Sequence, residues 1–193
     1  SENEAEKIED FLNPDFKKLH DPFLMQGMKE AVERIVKAKE SGEKIGIFAD
    51  YDADGIPGAV VLHDFFQKIN YRNFLNYIPL RNEEGFGLNN EAIINLCSQD
   101  VKLLITIDCG ITDVAQVDLA NENGIDVIIT DHHIQGNKLP NAYAIINPKQ
   151  KGCEYPEKML CGAGVIFKVV QALVDSKKFD WDEGQEKWLL DMV

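Results

Sequence analysis

Asp50, Asp52 and Asp54 occupy alternate positions in the segment DYDADG, directly after the apolar run 45–48. A short apolar run that ends at a Gly-containing turn predicts a buried strand, and open parallel sheets bind ligands at the carboxyl ends of their strands. Crowded carboxylates raise one another's pKa unless a cation lies between them. Because Mg²⁺ and Mn²⁺ prefer oxygen ligands, the segment predicts a divalent metal site.

Two simpler interpretations compete with this one. A calcium-binding EF-hand loop begins in the same way, but its twelfth position must be Glu. Counting from Asp50, that position is Val61, and the residues before the loop predict a strand rather than a helix. A solvated acidic turn is the other alternative, and the rest of the chain argues against it.

Two further aliphatic runs also end in acidic residues. The run 103–107 leads into Asp108, and the run 127–130 leads into Asp131, His132 and His133. β-Branched aliphatic runs of this kind are typical of parallel strands that are buried on both faces. A lone Asp after a strand is often only a helix cap. Three such strand ends instead predict converging ligands, and a shared carboxylate would hold two metals for displacement at phosphorus.

The segments DYDADG, TIDCG and TDHH resemble the first three motifs of the DHH phosphoesterase superfamily. Other segments resemble the RecJ family of bacterial single-strand-specific 5′-to-3′ exonucleases: FLNP with HDPF, IPLR with EGFGL, INPK, and CGAGV. The resemblance implies metal-dependent phosphodiester hydrolysis of single-stranded DNA by the full-length protein, in recombination and repair, and weak or no activity in this fragment alone. It also implies Mn²⁺ or Mg²⁺ as the cofactor, with two ions in the complete protein.

The same resemblance implies roles for individual residues. Its metal ligands are Asp50, Asp52, Asp54, Asp108 and His132, with Asp108 as the bridging ligand and Asp50 as a ligand or a supporting group. The catalytic set is Asp54, Asp108, His132 and His133, in which His133 faces the scissile phosphate. Asp131 is expected to orient its neighbours.

Besides His133, phosphate binding is expected at two further places. Arg81 lies in a Gly-rich loop, where its guanidinium could bind phosphate in a bidentate manner, although a surface ion pair with Glu83 or Glu84 is an alternative. Gly162 and Gly164 precede an apolar helix and could present N–H groups to phosphate. Close helix packing through these small residues explains them equally well.

Other members of the superfamily provide alternative functions. Phe48 stands where family II inorganic pyrophosphatases have His, which argues against that activity. A DHH oligoribonuclease or cyclic-dinucleotide phosphodiesterase stays open, as does an inert scaffold. The segment 11–23 favours the exonuclease.

The resemblance also implies a domain organisation. We expect an N-terminal extension over residues 1–22 and a DHH domain over 23–193, which ends before the fourth acidic motif of the family. Asp191 resembles the Asp that precedes this motif. On this interpretation the chain is an N-terminal fragment that lacks the C-terminal DHH-associated domain.

Composition is that of an ordinary globular protein with one unusual feature. The 193 residues are 45% hydrophobic and 27% charged, and no apolar run approaches the ~18 residues of a membrane span. The formal net charge is −13, whereas a DNA-binding protein is expected to have a positively charged surface. Four cysteines without Cys-x-x-Cys spacing indicate reduced thiols, and the polar N-terminus shows no secretory signal, so we expect a cytoplasmic protein.

Strand and helix patterns alternate along the chain. Predicted strands cover 44–48, 74–78, 103–107, 126–130 and 143–146, and predicted helices cover 23–39, 57–69, 89–96, 111–123 and 164–174. This alternation predicts an α/β fold: a doubly wound, mainly parallel sheet with helices on both faces.

Overall fold

A computed structural model describes residues 8–9, 11–13, 16–182 and 184–193. In this part of the chain, five strands form one parallel sheet in the order β2-β1-β3-β4-β5. The strands are β1 (Lys44–Ala49), β2 (Phe74–Tyr77), β3 (Val101–Ile107), β4 (Asp126–Thr130) and β5 (Ala144–Ile146). Because the chain moves outward in opposite directions from the β1/β3 pair, that pair is the topological switch point where such sheets bind ligands.

Helices cover both faces of the sheet. They are α1 (Met28–Glu40), α2 (Gly55–Lys68), α3 (Asn90–Ser98), α4 (Val114–Glu122), α5 (Gly162–Asp175) and the short α6 (Glu186–Leu189). Helices α1, α2 and α5 pack on one face, and α3 and α4 pack on the other. Alternation along β1 serves both cores, because Ile45 and Ile47 face the first and Phe48 faces the second. Burial on both faces explains why the strand sequences are almost continuously apolar.

The predicted fold class is confirmed, and all five predicted strands are present, β4 with the predicted bounds. The helix predicted to start at residue 23 is wrong at that end: Pro22–Leu24 is a separate 3₁₀ turn and α1 starts at Met28. Gly27 separates them because its φ of +82° is left-handed, and a Cβ there would lie 2.7 Å from Ile145 O. The helix predicted from residue 111 likewise starts later, at Val114.

A buried arginine with two partly exposed acidic partners fixes the opposite end of the sheet. Arg34 on α1 donates to Glu43 (2.7 Å) and to Asp126 (2.6 Å), at the amino ends of β1 and β4. This interaction anchors the scaffold away from the acidic strand ends. Part of the predicted N-terminal extension, residues 1–7, 10, 14 and 15, lies outside the described residues. None of the described helices has the length and apolar character needed to cross a membrane.

Candidate metal centre

Three aspartates directly follow strands β1, β3 and β4 and extend the backbone ladder by one hydrogen bond. The N–H groups of Asp50, Asp108 and Asp131 each donate to the neighbouring strand or its end. The acceptors are Ile107 O (3.1 Å), Thr130 O (2.9 Å) and Ile146 O (3.0 Å), respectively. The sheet itself therefore places these carboxylates side by side at its carboxyl edge.

Two groups of potential ligands meet at Asp108. One consists of Asp50, Asp52 and Asp108, and the other of Asp108, His132 and His133. Within each group, one ligand atom per residue lies within 4.8 Å of the others. Since Asp108 belongs to both groups, the arrangement has the connectivity of a two-ion site with a bridging carboxylate.

Among the described residues, two buried carboxylate oxygens in this cluster have no hydrogen-bond partner. They are Oδ1 of Asp50 and Oδ1 of Asp108, and the latter lies 3.1 Å from His132 Nε2. Burial raises the pKa of both groups, and the nearby charges of Asp52, Asp54 and Asp131 help to raise that of Asp108 to about 8. Buried polar atoms are normally satisfied, so these oxygens have the character of cation ligands.

Asp52 and Asp54 lie in the turn between β1 and α2. Asp52 Oδ1 accepts from the N–H groups of Asp54 (2.8 Å) and Gly55 (3.0 Å). Partial burial opposes ionisation of Asp52, but these hydrogen bonds outweigh it and lower its pKa. Asp54 Oδ2 lies 3.5 Å from His132 Nε2, so the turn adds a further carboxylate to the second ligand group.

Asp108 has an unusual backbone conformation, with a φ of +63°. Helix α5 approaches it closely because Gly162 has no side chain: a Cβ there would lie 2.6 Å from Cβ, Cγ and Oδ1 of Asp108. A strained backbone at a ligand cluster is typical of functional sites. Gly162 therefore lets the helix start lie directly against the shared carboxylate.

The two histidines are oriented by different partners. His132 Nδ1 lies 3.0 Å from Leu160 O, which can only accept, so Nδ1 carries the proton and Nε2 is the free ligand atom. His133 Nδ1 lies 2.8 Å from Asp131 Oδ1. This contact directs the second ring nitrogen, Nε2, away from Asp131.

Asp131 has the hydrogen bonds of a supporting residue. Its Oδ1 accepts from the N–H groups of His132 (2.7 Å) and His133 (3.0 Å), and its Oδ2 accepts from Ile111 N (3.0 Å). With its oxygens engaged, Asp131 has the geometry of the orienting role that the sequence suggested, in contrast to Asp50 and Asp108.

Arg81 lies on the rim of the cluster. Its guanidinium stacks over the Tyr51 ring at 5.3 Å, and its charge acts to lower the pKa of Asp50. In the described part of the chain it makes no ion pair with Glu83 or Glu84. The predicted alternative of a surface salt bridge is therefore absent there, and a cation is left facing the acidic site.

The N–H groups of the α5 start already have acceptors within the protein. Gly162 N donates to Asp54 Oδ2 (3.3 Å), and Gly164 N donates to Cys161 Sγ (3.3 Å). Gly58 on α2 also packs here, since a Cβ on it would lie 3.4 Å from the Ala163 Cα. This geometry agrees with the packing explanation of the glycines, and phosphate binding by them stays a prediction.

Sequence reasoning did not identify three contributors to the site. They are Tyr51, which supports Arg81; Leu160, whose carbonyl fixes the His132 tautomer; and Phe86, whose ring contacts His133. Tyr51 lies within the segment DYDADG and Phe86 within EGFGL, so the segments that carry the family resemblance already contained both residues. The Leu160 carbonyl is a backbone group and leaves no sequence signal.

The family model "DHH family, N-terminal domain" matches residues 44–193. The single-stranded-DNA-specific exonuclease RecJ of Bacillus subtilis (strain 168) is 45% identical over 170 residues, which is 88% of this chain and 22% of that protein. RecJ of Escherichia coli (strain K12) is 37% identical over 149 residues, covering 77% of this chain and 26% of that protein. The chain thus spans about a quarter of the length of these relatives.

Solved structures show the same relationship. A crystal structure of exonuclease RecJ bound to manganese matches with a TM-score of 0.72 at 32% identity, over 79% of this chain and 38% of that chain. A RecJ complex with Mn²⁺ from Thermus thermophilus gives a TM-score of 0.71 at 29% identity, over 88% of this chain and 23% of that chain.

Proposed function

Since the chain belongs to the DHH family, we propose that it carries the divalent-metal site of a single-strand-specific DNA exonuclease. The observation that carries this proposal is the pair of ligand groups that share Asp108, with buried unpartnered oxygens on Asp50 and Asp108. Related exonucleases act on single-stranded DNA, and two structures of such relatives contain manganese.

The donor set fits Mn²⁺ or Mg²⁺. Carboxylate oxygens dominate it and His132 contributes one neutral imidazole nitrogen, a combination that suits Mn²⁺ and tolerates Mg²⁺. Asp50, Asp52, Asp54, Asp108 and His132 would hold the ions. When bound, such ions lower the pKa of water and neutralise charge on a phosphoryl group.

The chain's own residues then orient and stabilise the phosphodiester. Asp131 holds the His133 ring through Nδ1, and when the ring carries a proton on both nitrogens, Nε2 would donate to a non-bridging phosphoryl oxygen. Arg81, supported by the Tyr51 ring, binds a phosphate through its planar guanidinium. Arg81 thus provides a permanent positive charge beside an otherwise acidic site.

An end-labelled oligonucleotide assay tests the proposal. The purified chain is incubated with single-stranded DNA, a blunt duplex of the same sequence, and short RNA, each with Mn²⁺, Mg²⁺ or EDTA. We expect slow, stepwise, metal-dependent shortening that is fastest on the single DNA strand. His132→Ala should abolish it, whereas His63→Ala should not, because His63 lies on α2 and pairs with Asn76.

Three results would contradict the proposal. Hydrolysis that persists in EDTA would exclude the metal site as its cause, and equal rates for the two histidine variants would exclude His132. Faster cleavage of RNA than of DNA would support the oligoribonuclease alternative.

A further inference from the structure

A loop over residues 78–89 lies beside the metal centre and is held in shape by one carboxylate. Glu84 accepts hydrogen bonds from Tyr77 Oη (2.6 Å), Leu80 N (2.8 Å) and Asn89 Nδ2 (3.1 Å). Burial, together with Glu84, raises the pKa of Tyr77 to about 12, so the phenol keeps its proton and donates. The loop is therefore a built feature with defined geometry.

Phe86 extends from this loop towards the catalytic histidines. Its ring meets the His133 ring edge to face, with centroids 5.6 Å apart and an interplanar angle of 76°. The side chain is nevertheless 56% exposed. Because His133 covers only part of the ring, an aromatic surface remains open next to the residue that faces the phosphate.

The backbone on both sides of Phe86 fixes this direction. Gly85 and Gly87 have φ values of +78° and +80°, a conformation that other L-residues rarely adopt. A Cβ on Gly87 would lie 2.9 Å from Asp113 Oδ2, and Asp113 accepts from Leu88 N (2.8 Å). The chain thus turns sharply before and after Phe86 and is anchored immediately beyond it.

We propose that Phe86 is a nucleobase-stacking residue and that it contributes to the preference for single strands; this inference rests on the proposed function. Arg81 and Phe86 belong to the same loop, so one would bind a phosphate while the other stacks on a base. Unpaired bases expose their faces to aromatic side chains, whereas a duplex buries its interior bases between neighbouring pairs. A stacking residue beside the phosphate site therefore selects against paired substrates.

Binding measurements with and without nucleobases test the proposal. The probes are a fluorescein-labelled eight-nucleotide single strand with hydrolysis-resistant phosphorothioate linkages, and a matched strand whose residues are abasic. Affinities are measured by anisotropy in Mn²⁺ for the wild type, Phe86→Ala, Phe86→Trp and Phe23→Ala. Phe23 is a matched control because it is also exposed but lies beside the carboxyl end of α5, whereas the site is at its amino end.

We expect Phe86→Ala to weaken binding of the base-containing strand about tenfold and to leave binding of the abasic strand unchanged. Phe86→Trp should retain the affinity, and Phe23→Ala should match the wild type. An equal loss of affinity for both strands in Phe86→Ala would overturn the stacking role and would indicate that Phe86 only supports the His133 ring. Equal affinities of the wild type for the base-containing and the abasic strand would also overturn stacking. In that case the proposed function would still stand if the end-labelled oligonucleotide assay showed metal-dependent hydrolysis. Binding of neither strand, without hydrolysis, would refute both proposals.

Discussion

Replacing Asp108 by Asn should stabilise the metal-free protein while abolishing metal binding. Asp108 is 1% exposed, has an unpartnered Oδ1, and has its pKa raised from 3.8 to about 8. Between these two pH values the folded protein holds a proton that the unfolded chain releases, so stability falls as pH rises through this window. At pH 7 the resulting cost is at most about 4 kcal/mol.

Asn removes this ionisation cost and also suits the left-handed backbone at this position. We therefore expect a gain of about 2–4 kcal/mol and a rise in Tm of about 5–10 °C at pH 7 in EDTA. The gain should shrink at pH 5, because pH 5 lies much closer than pH 7 to 3.8, the ordinary pKa that Asp108 has in the unfolded chain. With Mn²⁺ at a thousandfold excess over its Kd, the wild type should gain about 4 kcal/mol and the variant nothing.

Asp131→Asn is the matched control for this experiment. Asp131 is also 1% exposed, but its two oxygens accept hydrogen bonds that an amide can only partly replace. This variant should be less stable than the wild type in EDTA. Effects of the same sign in both variants would refute the reasoning, as would a metal-dependent rise in Tm that survives Asp108→Asn.

Two further substitutions examine the substrate and the scaffold. Arg81→Ala should weaken single-strand binding and reduce the slope of log affinity against log salt by about one. Arg72→Ala, at the other end of β2, is the control and should leave the slope unchanged. Equal slopes for the two variants would exclude Arg81 as a phosphate ligand. Gly162→Ala should lower Mn²⁺ affinity by about 10–100-fold in calorimetry, because its Cβ would displace Asp108. Gly136→Ala is the control, since a Cβ there would meet nothing closer than 3.9 Å. An unchanged Mn²⁺ affinity in Gly162→Ala would contradict the idea that close packing of α5 positions Asp108.

Most of the sheet and the acidic cluster could be predicted from sequence because both depend on local patterns. Apolar runs such as 103–107 determine which residues become strands, and parallel pairing then brings the residues after them to one edge. Asp50, Asp108 and Asp131 meet for this reason alone. No knowledge of side-chain packing was needed to place them together.

Features that depend on contacts distant in sequence could not be predicted. The start of α1 was misplaced because Gly27 passes close to Ile145, which periodicity does not reveal. The start of α4 was misplaced because residues 110–113 form a separate turn, closed by Asp113 N and Gly110 O (3.0 Å) and held by the bond from Ile111 N to Asp131. The proton position on His132 likewise depends on Leu160, whose carbonyl reaches it only in the folded chain.

The ladder hydrogen bonds of the three strand-end aspartates have a consequence for folding kinetics. The predicted ligands follow three different strands, and these strands are joined by long crossovers, so the site exists only after non-local pairing is complete. A metal ion that needs all of these ligands gains little from a partly paired transition state. Bound metal should therefore lengthen the lifetime of the folded protein by slowing unfolding, while the rate of refolding stays nearly unchanged.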